Sequence, residues 1–375
     1  MPVPSRSVRI GAAVAALAAM AAVAGCTAEP EPPVPAPTEP PTLEEAFAGL
    51  IDARGVPGGA LAIRRGEDTE VIAHGDADDE GTPVTEETVF GYRSVTKSFV
   101  VTVLLRLAEE GLVDLIVPTT APEEGVSPAD ATPWELAAMT AGTPNYSAQP
   151  GLIEEITADP ERAWEDDDLF DLVRGLPESF APGTSYEYSN TNTLLVGELV
   201  ADASMDTWSQ AVAELVTEPL GLESVVYPGD GAAPDAAATP FQLTDGAAEP
   251  LPAVRASAFS AAGGLFGTAG DLAAWAQALG TGALLEDETF ETRLSAFGPT
   301  ASDPQSPEYD EYGLGIGRIG DWIGHTGNGL GYQALAMYHA ESETAVAILL
   351  NATGEDGDLP AHLLEDLEEL VLEAP

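Results

Sequence analysis

The sequence predicts an α/β fold of the α+β type, in which an antiparallel sheet is flanked by helices and a mostly helical subdomain is inserted. Strand-like runs follow the first amphipathic helix, and three more precede the last helix. Between them the pattern is mostly helix and loop. We therefore expect a sheet built from both ends of the folded region, at about 43–93 and 255–375, around a helical part at about 94–254.

The composition indicates a folded protein with a large core and a strong negative charge. Of 375 residues, 45% are hydrophobic, and 63 acidic against 13 basic residues give a formal net charge of −50. Nucleic acid is excluded as a partner, because binding a phosphate backbone requires clustered Lys and Arg. We interpret the acidity as a source of solubility, in preference to metal storage. The length suits one large or two interlocked domains, and we expect a monomer.

The amino-terminal segment has the features of a secretory signal. Arg6 and Arg9 precede an apolar run at 10–23, which is too short to span a bilayer. The following "VAGC" resembles the bacterial lipobox, and Cys26 is the only cysteine, so no intramolecular disulfide competes for it. We predict a lipoprotein signal peptide at 1–25, lipidation of Cys26, and a lipid anchor on the outer face of the cell membrane. An ordinary secretory signal with an incidental cysteine is the alternative.

Residues 26–42 are rich in proline. "TAEPEPPVPAPTEPPT" contains seven prolines between Pro30 and Pro41. Proline at this density prevents helix and sheet pairing and favours an extended polyproline-type spacer. We predict a tether that holds the domain at 43–375 off the membrane surface; a recognition site for a proline-binding partner is the alternative.

The domain opens with a helix and a strand pair. "LEEAFAGLIDARG" has a helical apolar face and ends at Gly55. That face comprises Leu43, Phe47, Leu50 and Ile51. "GGALAIRRGEDTEVIAHG" predicts two strands about a turn at 66–68.

The far end of the chain mirrors this arrangement. "YGLGIGRIGDWIGHTG", "GYQALAMYHA" and "TAVAILLN" predict consecutive strands, and "PAHLLEDLEELVLE" predicts an amphipathic helix. The apolar side of that helix comprises Leu363, Leu364, Leu367, Leu370 and Val371. The two ends together supply the sheet and its covering helices.

A serine and the only lysine of the chain, Ser94 and Lys97, occur at the start of a buried helix. "SFVVTVLLRLAEEG" is apolar nearly all round and ends at Gly111, and residues i and i+3 share one face of the first turn. Burial and the positive helix end can lower a lysine pKa until the amine accepts a serine proton, whereas arginine stays protonated. The pattern predicts a serine nucleophile with a lysine base; alone, it also fits a capping serine and a surface lysine.

Two further motifs follow in order. "SYEYSN" at 185–190 and "GHTG" at 324–327 lie downstream of "SVTK" in the order and spacing of a known active site. With them, the chain resembles the serine penicillin-recognising family, which includes class C β-lactamases, D-alanyl-D-alanine carboxypeptidases and related esterases. Its motifs are most similar to those of secreted actinomycete D,D-carboxypeptidases. The resemblance covers nearly all of 43–375 and implies a β-lactamase/transpeptidase-like fold.

The resemblance implies catalytic roles for three side chains. Ser94 would attack the substrate carbonyl and form an acyl-enzyme, while Lys97 and Tyr188 would share the proton transfers. Which of the two takes the first proton stays open. The backbone N–H groups of Ser94 and Asn328 would form the oxyanion hole.

The resemblance also implies substrate-binding residues. Asn190 would hold Lys97 and the acyl side chain of the substrate, and Thr326 and Gly327 would recognise its terminal carboxylate together with His325. Many relatives have lysine at the histidine position, so the carboxylate would be bound as expected only if the imidazole is charged. We expect the acidic surroundings to raise the His325 pKa.

A second departure from the family lies in the segment after the first motif. Relatives often carry "LLTHTSG", whereas this chain has "LAAMTAGTPNY" without the histidine. The corresponding loop borders the cleft in relatives. The departure therefore affects acceptor specificity rather than the core chemistry.

The sequence thus predicts a serine hydrolase, most similar to a D-alanyl-D-alanine carboxypeptidase able to react with β-lactams. A related carboxylesterase, a β-lactamase and a penicillin-binding sensor without turnover are the alternatives. The expected substrates are a small peptide, β-lactam or ester, with peptidoglycan as a candidate partner and no cofactor. A metal enzyme is disfavoured, because the four histidines, at 74, 325, 339 and 362, form no i, i+4 pair.

Overall fold

The computed structural model describes residues 40–118, 124–301, 303 and 306–374. Pro41–Pro375 forms one compact unit. The predicted signal peptide, Cys26 and nearly all of the tether lie outside the described residues. None of the helices within the described ranges combines the length and the apolar character that crossing a bilayer requires.

Helices account for much of the described chain. They are α1 (Leu43–Ala53), α2 (Thr96–Glu109), α3 (Pro133–Ala137), α4 (Leu152–Ala158), α5 (Asp166–Asp171), α6 (Asn190–Ser204), α7 (Trp208–Val212), α8 (Glu218–Leu220), α9 (Ser260–Gly263), α10 (Ala269–Thr281), α11 (Asp287–Ser295) and α12 (Leu359–Glu373). Thr42 caps α1 through a reciprocal pair of hydrogen bonds with Glu45, which fixes where the helix begins.

The strands include eight that form one sheet. They are β1 (Gly58–Arg65), β2 (Asp68–Gly75), β3 (Phe90–Gly91), β4 (Phe241–Thr244), β5 (Ala247–Pro250), β6 (Phe266–Gly267), β7 (Gly298–Pro299), β8 (Glu311–Tyr312), β9 (Gly317–Ile319), β10 (Trp322–Gly329), β11 (Tyr332–His339), β12 (Thr344–Leu350) and β13 (Ala352–Thr353). The large sheet has the order β2-β1-β12-β11-β10-β9-β8-β7, and all its pairings are antiparallel. The predicted fold is confirmed: both ends of the domain contribute strands to one antiparallel sheet.

The two faces of the sheet bury different side chains. In β1 and β11, alanines at alternating positions face α10 and the helical region, while larger residues between them face α1 and α12. The alanine face includes Ala60, Ala62, Ala334 and Ala336, and the opposite face includes Leu61, Ile63, Leu335 and Met337. This period of two is what a sheet covered on both faces requires.

Helix α2 lies in the centre of the molecule. Eleven of its fourteen residues are buried, and it packs against α6 and α9. The ring of Phe99 stacks on Trp275 of α10 at 4.0 Å between centroids, and the Trp275 indole donates to Ser98 at 2.9 Å. These contacts hold the first turn of α2, which carries Lys97, in a fixed place.

The structure differs from the sequence interpretation at two places. The region predicted as helix and loop contains the hairpin β4–β5, whose turn residues Asp245 and Gly246 both have positive φ. This Asp-Gly pair is a strong hairpin signal that the helical interpretation overlooked. The run predicted as one strand before the His-Thr-Gly motif divides into β9 and β10, because the chain reverses at Gly320, where φ is 55°.

Candidate active site

The nucleophile candidate lies at the start of α2. Ser94 belongs to a 3-10 turn, Arg93–Val95, that leads into the helix at Thr96. Its Oγ accepts a hydrogen bond from Nζ of Lys97 at 3.0 Å, and Nζ also donates to the Ala262 carbonyl oxygen at 2.6 Å. Lys97 is 0% exposed. The lysine is thus a buried partner of the serine, and the alternative of a surface lysine is wrong.

Burial changes the acid–base character of Lys97. Desolvation lowers its pKa well below the ordinary value of 10.5. The physical cause is that an ammonium group inside the protein loses the hydration that stabilises its charge. The side chain also sits in the first turn of α2, where the positive end of the helix dipole disfavours a cation. Both effects favour the neutral amine, which can accept a proton from Ser94.

Tyr188 lies against Lys97 in the loop that precedes α6. Nζ of Lys97 is 5.1 Å from the centroid of the tyrosine ring, and the Tyr188 N–H donates to Oδ2 of Asp303 at 2.8 Å. Burial raises the pKa of Tyr188 well above its ordinary value, Tyr309 raises it further, and interaction with the Ser94 hydroxyl opposes the increase. The phenol oxygen is buried, and it forms no hydrogen bond with any of the described residues. The resting phenol is therefore protonated.

Asn190 is the first residue of α6 and lines the cleft. Its Nδ2 donates to Oγ of Ser147 at 2.7 Å, and its N–H donates to Oδ1 of Asn145 at 3.1 Å. The hydrogen bonds of Lys97 go to other residues, so the expected contact between Asn190 and Lys97 is not formed. Asn145 belongs to the segment in which the family histidine is missing, Ser147 directly follows that segment, and both line the cleft.

Strand β10 passes directly beside the nucleophile. A Cβ atom added at Gly327 would overlap the carbonyl oxygen of Tyr92 and would lie 3.0 Å from the backbone nitrogen of Ser94. Only glycine permits this approach of two backbones. Thr326, Gly327 and Asn328 all line the cleft. The structure therefore brings the two backbone segments predicted to form the oxyanion hole to the same point.

The expectation for His325 is wrong. The side chain is 0% exposed and does not line the cleft. Its Nδ1 donates to the Thr326 carbonyl oxygen at 2.6 Å, and its Nε2 accepts from the Tyr312 hydroxyl at 3.0 Å. Burial lowers the His325 pKa to about 3, and the charge of Lys97 acts in the same direction. His325 is a neutral structural group beneath the site rather than a cation that binds a substrate carboxylate.

The cleft at Ser94 is polar and carries negative charge. It encloses about 650 Å³. Its polar lining includes the side chains of Ser94, Asn145, Ser147, Glu187, Tyr188, Asn190, Asp303, Thr326, Asn328 and Asp358. Three of them are carboxylates, and none of the described residues that line the cleft is arginine, lysine or histidine. The cleft thus offers a poor electrostatic environment for a substrate carboxylate.

A second lobe adjoins Ser94 on the other side. It encloses about 350 Å³, and Ser94, Ser147, Asn190 and Asn328 line both lobes. Its apolar surface comes from Leu152 and Ile156 of α4, and from Phe259, Ala262 and Leu330. Ser94 therefore lies between a polar, acidic lobe and a lobe with a largely apolar surface, which Arg93 also lines.

Sequence reasoning missed the groups that surround the His-Thr-Gly motif. The Tyr309 hydroxyl accepts from the Thr326 N–H at 2.7 Å and lies 2.8 Å from the Thr326 hydroxyl. Tyr312 bonds the histidine, as described above. Both tyrosines belong to "EYDEYG", where a pair of aromatic residues before a strand was the available signal. The carboxylates of the cleft had no such signal, because they are three among 63 acidic residues.

Comparisons with known proteins agree with this geometry. The family model described as Beta-lactamase matches residues 43–370. An esterase of Burkholderia gladioli is 32% identical over 235 residues, covering 56% of this chain and 58% of the esterase. A β-lactamase of Yersinia enterocolitica is 29% identical over 185 residues, covering 48% and 45%. The chain thus spans about half the length of the curated relatives it matches.

Solved structures extend the likeness to nearly the whole domain. A D-stereospecific amidohydrolase from Streptomyces sp. superimposes with a TM-score of 0.75 at 25% identity, over 87% of this chain and 97% of that one. A D-amino acid amidase from Ochrobactrum anthropi gives 0.76 at 23% identity, over 88% and 98%. The match to the family model covers almost all of the folded part of the chain, including Ser94, Lys97, Tyr188 and Gly327. The chain therefore belongs to the beta-lactamase family of serine penicillin-recognising proteins.

Proposed function

We propose that the protein is a serine hydrolase that forms an acyl-enzyme on Ser94 and acts on esters or amides without a free carboxylate next to the scissile bond. The observation that carries this proposal is the 3.0 Å contact between the Ser94 hydroxyl and the fully buried Lys97 amine. A buried, neutral amine can activate a hydroxyl, whereas a solvated ammonium cannot.

The proton transfers follow from the two pKa shifts. Lys97, whose pKa is lowered, takes the proton as Ser94 Oγ bonds to the substrate carbonyl carbon. The carbonyl oxygen becomes an oxyanion that accepts hydrogen bonds from the N–H groups of Ser94 and Asn328. Tyr188, whose pKa is raised, starts as a proton donor and passes a proton to the leaving group as the bond to it breaks. The proton held by Lys97 then replaces the one that Tyr188 gave away.

Deacylation repeats these transfers with water. A water molecule gives a proton to the same base and attacks the ester carbonyl carbon, and Ser94 leaves with a proton restored to its Oγ. The acyl group departs as a carboxylic acid. Release of this product into an acid-lined cleft is favoured, because the new carboxylate is repelled by the carboxylates around it.

The charge of the cleft favours substrates without a terminal carboxylate. Glu187, Asp303 and Asp358 line the polar lobe, and the buried His325 supplies no compensating cation. A carboxylate at about 4 Å from another carries a repulsion of about 1 kcal/mol even in water, and more near a protein surface. Esters, and the D-amino acid amides that the names of the structural neighbours suggest, avoid this repulsion.

A D-alanyl-D-alanine carboxypeptidase able to react with β-lactams is the second candidate. Thr326 lines the cleft, and its hydroxyl would donate to a substrate carboxylate bound there. A penicillin-binding protein of Amycolatopsis lactamdurans is 28% identical over 190 residues, which supports reaction with β-lactams. A sensor that is acylated without turnover would share this chemistry and lack the deacylation step.

One experiment separates these functions. The purified domain at 43–375 is given p-nitrophenyl butyrate, D-phenylalanine amide, a D-Ala-D-Ala peptide and a penicillin, and turnover and intact mass are measured for each. Turnover of the neutral ester or the amide, with at least about tenfold lower kcat/KM for the peptide, is the expected result. Ser94→Ala should remove every adduct and lower the rate by on the order of 10⁴ or more. An adduct on another serine would overturn the assignment.

Location and partners are further proposals. We place the protein on the outer face of the cell membrane, held by a lipid on Cys26 and by the proline-rich tether, because the sequence carries a lipobox-like "VAGC" after a short apolar run. In that place the site would meet esters, small peptides or peptidoglycan fragments outside the cell.

A further inference from the structure

Arg93 immediately precedes the nucleophile in an unusual backbone conformation. Its φ is 49°, in the left-handed region that favours glycine. The side chain is 3% exposed. A large cationic residue therefore occupies a backbone conformation that costs glycine less free energy. We expect the arginine side chain to make interactions that offset this strain.

The Arg93 guanidinium reaches across to the end of β10. Nε donates to the Gly329 carbonyl oxygen at 2.8 Å, and Nη2 donates to the Leu330 carbonyl oxygen at 3.4 Å. The guanidinium carbon lies 4.2 Å from the centroid of the Phe259 ring and 4.8 Å from that of Tyr332. Close contact with two aromatic rings together with donation to two oxygens suits a guanidinium better than an ammonium.

The contacts of Arg93 are to backbone and aromatic rings rather than to acid groups. Within the described ranges no carboxylate forms an ion pair with it, although 63 acidic residues were available in the chain. Burial lowers the Arg93 pKa to about 10, which leaves the group protonated at neutral pH. Its structural effect is to fix the two carbonyl groups that it bonds.

Those carbonyl groups belong to the last residue of β10 and to the first residue of the turn that follows it. Leu330 and Gly331 form the two-residue connection between β10 and β11, with φ of 38° and 83°. Asn328, the predicted second oxyanion donor, lies two residues before Leu330. Arg93 therefore joins the turn that presents the Ser94 N–H to the turn that follows the Asn328 N–H.

We infer that Arg93 is a positioning residue that clamps these two turns together and so sets the separation of the two oxyanion N–H groups. The inference rests on the proposed function, in which those N–H groups hold the transition state. Arg93 also lines the apolar lobe beside Ser94, but its guanidinium hydrogen bonds go to the backbone carbonyl groups of Gly329 and Leu330, so we assign it no direct part in the reaction. Its effect should therefore appear in transition-state binding and not in the binding of the ground state.

The test compares Arg93→Gly and Arg93→Lys with a matched control. Glycine accepts the φ of 49° without strain and removes the clamp, while lysine keeps charge and stem and can donate from a single nitrogen. Arg293 is the control, because it is 1% exposed and also donates to a backbone carbonyl, that of Leu314 at 3.0 Å. Neither Leu314 nor Thr102, its other partner, lines the cleft.

Three quantities are measured: the acylation rate constant and KM with p-nitrophenyl butyrate, and the Kd of phenylboronic acid, whose tetrahedral adduct on serine places an oxygen in the oxyanion hole. Arg93→Gly should lower the acylation rate on the order of 10²-fold and weaken the boronic acid by a similar factor, with KM within about twofold. Arg93→Lys should lose about tenfold. Arg293→Lys should lower Tm while both activity measures stay within about twofold.

The outcomes separate this inference from the proposed function. If the wild type is active and the Arg93 variants have the same acylation rate and the same affinity for the boronic acid, the clamp is wrong, while Ser94 stays the nucleophile. If the wild type shows neither turnover nor a covalent adduct, both the proposed function and the role of Arg93 are wrong. Should Arg93→Gly fail to fold, Arg93→Lys carries the test, and loss of the fold in both, with Arg293→Lys folded, would show a purely structural role.

Discussion

Nζ of Lys97 lies 3.0 Å from Oγ of Ser94, and none of the lysine side chain is exposed to solvent. The amine has two hydrogen-bond acceptors in the described structure, the serine and the Ala262 carbonyl. It is the only lysine in a chain that uses arginine at twelve other positions. The contact therefore joins the one lysine amine of the chain to a serine that lines both lobes of the cleft.

Lys97→Arg should slow acylation severely, because it puts a permanent cation where the wild type holds a neutral amine. Arginine cannot be deprotonated in the working pH range, so it cannot take the proton of Ser94. We expect the acylation rate to fall by on the order of 10³, the usual worth of a general base. Stopped-flow kinetics with p-nitrophenyl butyrate measures it. Near-normal acylation would show that Lys97 acts only as a cation.

Lys97→Met is the companion variant. The unfolded lysine binds a proton that the folded one resists, so protonation favours the unfolded state below pH 10.5. Methionine removes this cost and fills a similar volume. We expect Tm at pH 7 to be at least as high as that of the wild type, with acylation lost; a fall of Tm by several degrees would mean that the amine stabilises the fold.

His325 should make the fold sensitive to acid. Its pKa is about 3 in the folded protein and about 6.5 when unfolded, so neutral His325 contributes stability above pH 6.5 that is lost as the pH falls toward 3. Thermal unfolding between pH 7 and 4 should show a steeper loss of Tm in the wild type than in His325→Gln. Parallel curves would contradict the buried, neutral state.

Because His325 stays neutral between pH 6 and 9, KM for a carboxylate peptide should not follow a histidine titration in that range.

Gly327→Ala should damage the oxyanion site. The added Cβ would overlap the Tyr92 carbonyl oxygen and crowd the Ser94 nitrogen, so β10 and the nucleophile turn must separate. A displacement of about 1 Å at this point can cost on the order of 10²-fold in acylation. Gly298→Ala is the control, because a Cβ there meets no atom within 4 Å. Equal activity of the two variants would place the oxyanion hole elsewhere.

Glu187→Gln should relax discrimination against carboxylate substrates. The change removes one negative charge from the cleft and keeps an oxygen that can accept from the Ser179 hydroxyl. We expect kcat/KM for a D-Ala-D-Ala peptide to rise by about two- to tenfold at low salt, and that for p-nitrophenyl butyrate to stay constant. Exposed Glu110→Gln is the control. An equal gain for both substrates would argue against an electrostatic cause.

Cys26→Ala should separate anchoring from catalysis. If Cys26 is lipidated, the variant moves from the membrane fraction to the soluble fraction of the producing cells, with hydrolysis per molecule unchanged. Cell fractionation with an immunoblot and an ester assay measures both. A variant that stays membrane-bound after cleavage of the signal would show that the anchor is not a lipid on this residue.

Local patterns account for what the sequence predicted well. Ser94 and Lys97 are three residues apart in one turn, so their contact follows from helix geometry alone. The alternation in β1 and β11 and the apolar face of α12 are equally local, and each element formed near its predicted place. The order of the three motifs then indicated which distant segments meet at the cleft.

Non-local packing explains what the sequence did not predict. His325 is neutral because tertiary packing buries it, and its hydrogen-bond partner Tyr312 lies thirteen residues away along the chain. The acidity of the chain suggested a raised histidine pKa, whereas desolvation, which depends on tertiary packing, lowers it. The contact of Arg93 with the carbonyl groups of Gly329 and Leu330 spans more than 230 residues and has no sequence signature.

The burial of Lys97 also has a practical chemical consequence. The chain has no other ε-amine, and this one is 0% exposed. Amine-directed reagents, such as succinimidyl esters or aldehyde resins, therefore find no lysine side chain on the native surface. When the domain unfolds, the Lys97 amine becomes accessible to the reagent. A label on Lys97, detected by mass spectrometry, therefore identifies molecules that have lost their native structure.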